Sequence, residues 1–148
     1  MSLHREKSLK PENRITVLLV DDHKLIREEM RKLLESASDM HVVGEASDGK
    51  QAVDMALKLR PAVVVMDIAM PKLNGLEATR QILQVLPATH VLMCSAHSED
   101  AYVERAMELG AAGYISKLTF VGILVTAIRA VQKGDVFFDP ALAKGLND

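Results

Sequence analysis

The chain lacks several features that would place it among secreted or membrane proteins. Its single cysteine, Cys94, excludes an intramolecular disulfide and fits a reducing compartment. No apolar run reaches the roughly 18 residues that a membrane-spanning helix needs. The N-terminal segment MSLHREKSLKPENR is polar and has no apolar centre of the kind found in secretory signals. We therefore expect a cytoplasmic protein.

Aromatic residues and net charge are also scarce. Tryptophan is absent and aromatic residues make up 3% of the chain, whereas hydrophobic residues make up 49%, so the core must be mainly aliphatic. The net charge is -2 with both signs spread along the chain, which gives no basic surface for nucleic acid. The 148 residues suffice for one ordinary domain.

Short β-branched runs alternate with longer segments that have the spacing of amphipathic helices. The runs are ITVLLV (15–20), HVVGEA (41–46), AVVVM (62–66), HVLMCS (90–95) and GYIS (113–116). The helical segments are predicted at about 23–37, 48–59, 75–86, 99–109 and 120–133. This alternation predicts a doubly wound α/β fold, with a parallel sheet covered by helices on both faces.

Polar side chains follow the predicted strands at the edge where ligands bind in such sheets. Asp21 and Asp22 follow the first strand, and Asp67 follows the third. Ser95 ends the fourth strand and Lys117 follows the fifth. Three carboxylates without a thiol or a clear histidine set suit a hard cation such as Mg²⁺. A carboxylate can also be the nucleophile in phosphoryl transfer, with a lysine and a hydroxyl contacting the phosphoryl oxygens.

Each of these residues has an ordinary structural explanation when it is taken alone. Asp22 could cap the helix that follows, and Asp67 could be a surface residue of a loop. Lys117 could be solvated, as most lysines are, and Ser95 could simply end a strand. The five histidines are scattered, and we interpret none of them as a metal ligand. The joint placement of the polar residues at one sheet edge favours a functional site.

Four segments, in order, resemble the motifs of the receiver domain of bacterial two-component response regulators. They are VLLVDD, VVVMDIAMPKLNGLEA, VLMCSAHSE and GAAGYISK. The resemblance implies a flavodoxin-like (βα)5 three-layer sandwich with sheet order 2-1-3-4-5. It divides the chain into a flexible leader (1–14), a receiver domain (15–134) and a tail or start of a linker (135–148).

The resemblance also implies a phosphoacceptor and a metal site. Asp67 would take a phosphoryl group from a sensor histidine kinase. Asp21 and Asp22 would hold Mg²⁺ together with Asp67 and the backbone carbonyl of Ala69.

Three further residues match the positions that read the phosphate in this family. The resemblance assigns Ser95 as the switch hydroxyl, Lys117 as the phosphate partner and Tyr114 as the aromatic that moves with Ser95. The chain departs from a common pattern directly after the lysine, where Leu118 replaces a proline that often takes part in a cis peptide bond. Either isomer of the Lys117–Leu118 bond is open at this point, and Lys117 itself is retained.

The tail resembles receivers that precede an output domain with a LuxR-type helix-turn-helix. The matching segment is TAIRAVQKGDVFFDPALAKGL. The chain stops at Asp148, so we expect a receiver cut from a longer transcription regulator; a stand-alone receiver that acts by protein–protein interaction is the alternative. No specific DNA binding by this chain itself is expected, and none to membranes.

The last predicted helix is more apolar than one core-facing stripe requires. Its predicted core face comprises Val121, Leu124, Ile128 and Val131. Ile123 and Val125 lie off that face, and exposed apolar residues often mark a partner site. We predict a phosphorylation-dependent homodimer through this helix, with the first helix or the edge of the fifth strand as further candidate surfaces.

Three other functions fit less well. A haloacid-dehalogenase-like phosphatase, which also uses a nucleophilic Asp and Mg²⁺, needs a second Asp where this chain has Ala69. A flavodoxin-like flavin carrier would need a phosphate-binding loop after the first strand, where Asp21 and Asp22 would repel phosphate. A degenerate receiver would lack some of the acidic residues, which are all present. We therefore expect a signalling protein rather than an enzyme.

Overall fold

The computed structural model describes residues 13–140 and residue 142. Its six parallel strands form one sheet, which is covered by helices on both faces. The strands are β1 (Ile15–Val20), β2 (Met40–Ala46), β3 (Val63–Met66), β4 (His90–Ser95), β5 (Gly113–Ser116) and β6 (Phe137–Phe138). The helices are α1 (Lys24–Glu35), α2 (Gly49–Leu59), α3 (Gly75–Val85), α4 (Asp100–Glu108) and α5 (Phe120–Gln132). Most of the predicted leader and the end of the predicted tail lie outside the described residues.

The observed strand order, β2-β1-β3-β4-β5-β6, confirms the predicted doubly wound sheet and its order 2-1-3-4-5. Strand β6 was not predicted. It lies in the segment assigned to the tail and pairs in parallel with β5, with Gly113 opposite Phe137 and Tyr114 opposite Phe138. The edge of β5 is therefore covered, which corrects the expectation that this edge could serve as a dimer surface.

Side chains of the central strands alternate between two apolar layers. Leu18 and Val20 of β1 pack in the layer beneath α2, α3 and α4, and Val17 and Leu19 pack in the layer beneath α1 and α5. Cys94 is buried in the second layer, where burial raises the pKa of its thiol, so it stays a protonated core residue. Burial on both faces explains why these strands read as nearly continuous apolar runs.

The helix ends follow from local side-chain chemistry. The Asp48 carboxylate accepts a hydrogen bond from the backbone N–H of Gln51 and caps α2, and the Asn74 side chain caps α3 through the N–H of Glu77. After α4, Gly110 adopts a positive φ of 102°, the conformation that glycine ends helices with. Among the described residues, no helix is long and apolar enough to cross a membrane.

The prediction that Val121 of α5 faces the core is wrong. Val121 is 58% exposed, because Phe120 takes the core position at the start of the helix. Leu124, Ile128 and Val131 are buried as predicted. Ile123 and Val125, which were predicted to lie off the core face, are partly buried against it.

Candidate functional site

The parallel register places two aspartates side by side. Val20 of β1 pairs with Met66 of β3, so Asp21 and Asp67, one residue further along, leave the sheet at the same edge. The backbone N–H of Asp67 donates to the carbonyl of Val20 at 3.0 Å and fixes this arrangement. Both carboxylates are buried, with 0% of Asp21 and 3% of Asp67 exposed.

Lys117 joins the two buried carboxylates. Its Nζ lies 2.8 Å from Oδ2 of Asp21 and donates to Oδ2 of Asp67 at 3.0 Å. The ammonium group is largely covered as well, so the three charges interact with little screening by water. The repulsion between the adjacent carboxylates is thus offset by a cation of the chain itself.

The site shifts the pKa of Asp67 and that of Lys117 in the same direction for different reasons. Burial, followed by the nearby charge of Asp21, raises the pKa of Asp67, and the hydrogen bond from Lys117 only partly opposes this. Burial alone would lower the pKa of Lys117, but its close contacts with the Asp21 and Asp67 carboxylates outweigh burial and raise it.

Asp67→Asn should therefore stabilise the unligated protein at neutral pH. Below the pKa of the unfolded chain, Asp67 is protonated in both states and costs nothing. As the pH rises through the raised folded pKa, ionisation costs the folded state more than the unfolded state. Melting curves of the wild type and the variant should differ at pH 7 and converge near pH 3; a gap that persists at the acid end would contradict this origin.

The acidic cluster fits a divalent cation. Ligand atoms of Asp21, Asp22, His23 and Asp67 all lie within 4.8 Å of one another. Asp21 Oδ2 is buried and receives no hydrogen bond of good geometry from the described residues, although the Lys117 ammonium is in contact with it. Oxygen atoms dominate this donor set, as hard cations such as Mg²⁺ require.

His23 was missed as a member of the cluster. Its Nδ1 lies 2.9 Å from Asp21 Oδ1 and 3.2 Å from Asp22 Oδ1, and 3.4 Å from the Nζ of Lys117. Its backbone N–H also donates to Asp21 at 2.8 Å and so orients that carboxylate. The position of His23 directly after two aspartates at a strand end was the available indication.

The loop after β3 is pressed against Asp67. The Ile68 N–H donates to Asp67 Oδ1 at 2.8 Å, and the Gly75 N–H donates to the Ile68 carbonyl at 2.8 Å. A Cβ atom on Gly75 would lie 1.7 Å from the Asp67 carbonyl oxygen, so only glycine fits there. Ala69 is exposed in this loop, two residues beyond Asp67.

Ser95 and Tyr114 are connected through His97. The Ser95 hydroxyl accepts a hydrogen bond from the His97 N–H at 3.0 Å, and the Tyr114 hydroxyl donates to the His97 carbonyl at 2.6 Å. Tyr114 is fully buried, and burial raises its pKa to about 12. The Lys117 N–H donates to the Ser95 carbonyl at 3.0 Å, and the Lys117–Leu118 peptide bond is trans.

The structure thus brings the predicted residues together in two groups. One group is in direct contact around the Lys117 ammonium and contains Asp21, Asp67 and, through His23, Asp22. The other contains Ser95 and Tyr114, which meet at His97 and touch the first group through the Lys117 backbone.

Comparison with known proteins identifies relatives of this arrangement. The family model of the response regulator receiver domain matches residues 17–129 of this chain. The transcriptional regulatory protein DegU of Brevibacillus brevis is 37% identical over 135 residues, which are 91% of this chain and 57% of DegU. The response regulator GacA of Pseudomonas aeruginosa is 39% identical over 89% of this chain and 62% of GacA. The chain therefore spans about three fifths of the length of these relatives.

Solved structures agree with these relatives. A LuxR-family two-component response regulator from Aurantimonas superposes with a TM-score of 0.85 at 37% identity, over 88% of this chain and 94% of that one. The receiver domain of the putative response regulator NarL from Mycobacterium tuberculosis gives 0.79 at 34% identity, over 82% and 98%. The chain belongs to the receiver domain family of two-component response regulators, and its relatives place it with regulators of the LuxR type.

Proposed function

We propose that the chain is a phosphoacceptor that takes a phosphoryl group onto Asp67 from a sensor histidine kinase and changes conformation in response. The observation that carries the proposal is the buried Asp67 carboxylate, which ends β3 beside Asp21 and within 3.0 Å of the Lys117 ammonium. A buried carboxylate with a raised pKa next to a second carboxylate and a buried ammonium is typical of a functional site.

The transfer is a displacement at phosphorus. A carboxylate oxygen of Asp67 attacks the phosphorus of the kinase phosphohistidine, the P–N bond breaks, and the imidazole leaves with its electron pair and takes up a proton. Asp21, Asp22, Asp67 and the Ala69 carbonyl would hold Mg²⁺, which neutralises charge on the phosphoryl oxygens.

Two side chains would then read the new charge. The Lys117 ammonium leaves the Asp67 carboxylate for a phosphoryl oxygen, and the Ser95 hydroxyl turns from the His97 N–H to another. Because the Tyr114 hydroxyl is bonded to the same His97, movement of Ser95 would free Tyr114 and the loop before α4. Such a local change of charge and hydrogen bonding shifts the equilibrium between two conformations.

Labelling by a small phosphodonor tests the proposal. The protein is incubated with acetyl phosphate and Mg²⁺, and its intact mass is measured with and without excess EDTA. One phosphate should add in the presence of Mg²⁺, and chelation should suppress the addition. A chain that stays unlabelled under conditions that label another receiver would overturn the proposal.

The output we propose is control of transcription in the cytoplasm, through a DNA-binding output domain. The similarity to DegU, a transcriptional regulatory protein, supports this, as does the similarity to the LuxR-family response regulator from Aurantimonas. In this proposal the chain is a signalling module and not an enzyme. A receiver that acts through protein–protein contacts alone is the second candidate.

We also propose that phosphorylation favours a two-fold dimer through α5. Val121 is 58% exposed at the start of that helix, and Leu118, just before it, is 91% exposed. Sedimentation velocity with and without beryllofluoride and Mg²⁺ should show a dimer only in the presence of both. Val121→Glu should weaken that dimer, whereas Val85→Glu, at an exposed valine of α3, should not. Equal dimerisation of both variants would exclude this surface.

A further inference from the structure

The segment after α5 is built into the domain beyond the residues that match the family model. The match to the family model ends at residue 129, whereas β6 comprises Phe137 and Phe138. The Phe137 N–H donates to the Ala112 carbonyl at 3.1 Å, and the Asp139 N–H donates to the Tyr114 carbonyl at 3.0 Å. The backbone of this segment is thus fixed against the first half of β5.

Asp139 carries a buried carboxylate at the end of β6. It is 3% exposed, and its Oδ2 accepts hydrogen bonds from the Ser116 N–H at 3.2 Å and from the Thr119 hydroxyl at 2.5 Å. A carboxylate so well buried needs such donors, because its desolvation is costly. Ser116 is the last residue of β5 and Thr119 directly precedes α5, so the two donors flank Lys117.

The loop that carries Lys117 is therefore held from two sides. On one side, the Lys117 N–H donates to the Ser95 carbonyl of β4 at 3.0 Å. On the other, Asp139 binds the residue before Lys117 and the second residue after it. Where the Lys117 ammonium can reach depends on where this loop is held, and small displacements of a supporting residue are known to weaken charged sites.

We propose that Asp139 is a positioning residue for Lys117: it holds the β5–α5 loop so that the ammonium reaches Asp21 and Asp67. The role in phosphate recognition that follows rests on the proposed function. The same carboxylate ties the segment after α5 to the phosphate-reading loop. Since coupling between two sites is reciprocal, a displacement of Lys117 should also alter the position of Asp139 and β6.

The packing around β6 leaves little room for this segment to shift. A Cβ atom on Gly113 would lie 2.4 Å from the Phe137 carbonyl oxygen, so β6 lies directly against the β5 backbone. Leu142 and Phe138 pack in the same apolar layer as Tyr114. The Asp139 carboxylate is thereby held on a rigid support, as a positioning group must be.

The test compares Asp139→Ala and Asp139→Asn with Asp135→Asn, which removes the same charge from an exposed position of the same segment. The first readout needs no phosphate: the side-chain and amide NMR shifts of Lys117 in the unligated protein. Asp139→Ala should move them, Asp139→Asn should move them less because its amide oxygen still accepts, and Asp135→Asn should leave them unchanged.

The second readout is the affinity for beryllofluoride with Mg²⁺, a phosphoryl mimic. Asp139→Ala should weaken binding about tenfold, the scale of a lost hydrogen bond to a charged group. If Asp139 acts through Lys117, adding Asp139→Ala to a Lys117→Met variant should reduce the affinity for beryllofluoride only slightly further. Equal losses in both backgrounds would indicate a general structural role and overturn the proposal.

The two proposals fail in different ways. A wild type that binds no beryllofluoride contradicts the phosphoacceptor function, and the unligated shifts of Lys117 then decide the positioning role alone. Unchanged Lys117 shifts in Asp139→Ala contradict the positioning role whatever the affinities are. If Asp139→Ala does not fold, Thr119→Ala removes one of the two donors and should move the Lys117 shifts in the same sense.

Discussion

Asp67→Asn should take up no phosphate from acetyl phosphate, whereas the wild type should add one. The amide lacks the anionic oxygen that attacks phosphorus, and it sits in the same buried position between Asp21 and Lys117. We expect the loss of labelling to be complete. The other two aspartates of the cluster, Asp21 and Asp22, follow β1 instead of β3 and are engaged by His23 and, for Asp21, by Lys117. Intact mass spectrometry over a time course measures it.

The matched control is Asp54→Asn, which alters an exposed aspartate of α2. Its labelling should equal that of the wild type. Melting curves of all three proteins verify that loss of labelling does not reflect unfolding, since Asp67→Asn is expected to be at least as stable as the wild type at pH 7. Undiminished labelling of Asp67→Asn would place the phosphoacceptor elsewhere.

Lys117→Met should lower the stability of the unligated protein markedly. The change leaves the Asp21 and Asp67 carboxylates buried without their cation. Breaking such a buried arrangement costs about 3 kcal/mol, which at roughly 3 °C per kcal/mol for a chain of this length lowers the Tm by about 9 °C. Lys50→Met, which removes an exposed lysine, should change the Tm little.

Mg²⁺ should reverse part of this loss. An ion that binds only the folded site raises the Tm by mass action. The rise should be larger in Lys117→Met than in the wild type, because the ammonium no longer repels the ion. Asp22→Ala should abolish the rise in both backgrounds, whereas Glu104→Ala, at an exposed carboxylate of α4, should preserve it. A Tm that millimolar Mg²⁺ leaves unchanged in the wild type and in every variant would contradict the metal site.

The sequence predicted the acidic edge because each residue there follows its own strand directly. It could not predict how the charges are balanced. The paired aspartates after β1 raised the question of what offsets their repulsion, and a metal was the expected answer. In the structure the Lys117 ammonium already does so. That contact joins segments 50 residues apart for Asp67 and Lys117, and it depends on loop positions that no local pattern encodes.

The elements that were missed are short or lie at helix ends. A two-residue strand such as β6 has no alternating pattern to detect, and its partner is chosen by packing. The buried role of Asp139 followed from that pairing and was equally hidden. For Val121, helical spacing allowed a core position that Phe120 occupies instead. The five helices and their alternation with strands were predictable because long periodic segments constrain them, whereas the strand order followed from the resemblance to receiver domains.

The most direct test of the account is to find the phosphorylated residue itself. The protein is labelled with acetyl phosphate and Mg²⁺, and the acyl phosphate is then reduced with borohydride, which converts a phosphorylated aspartate to homoserine. Tandem mass spectrometry of the peptides locates the change. The account predicts homoserine at position 67 and unmodified aspartate at positions 21 and 22; homoserine at either of those positions, with Asp67 unmodified, would contradict it.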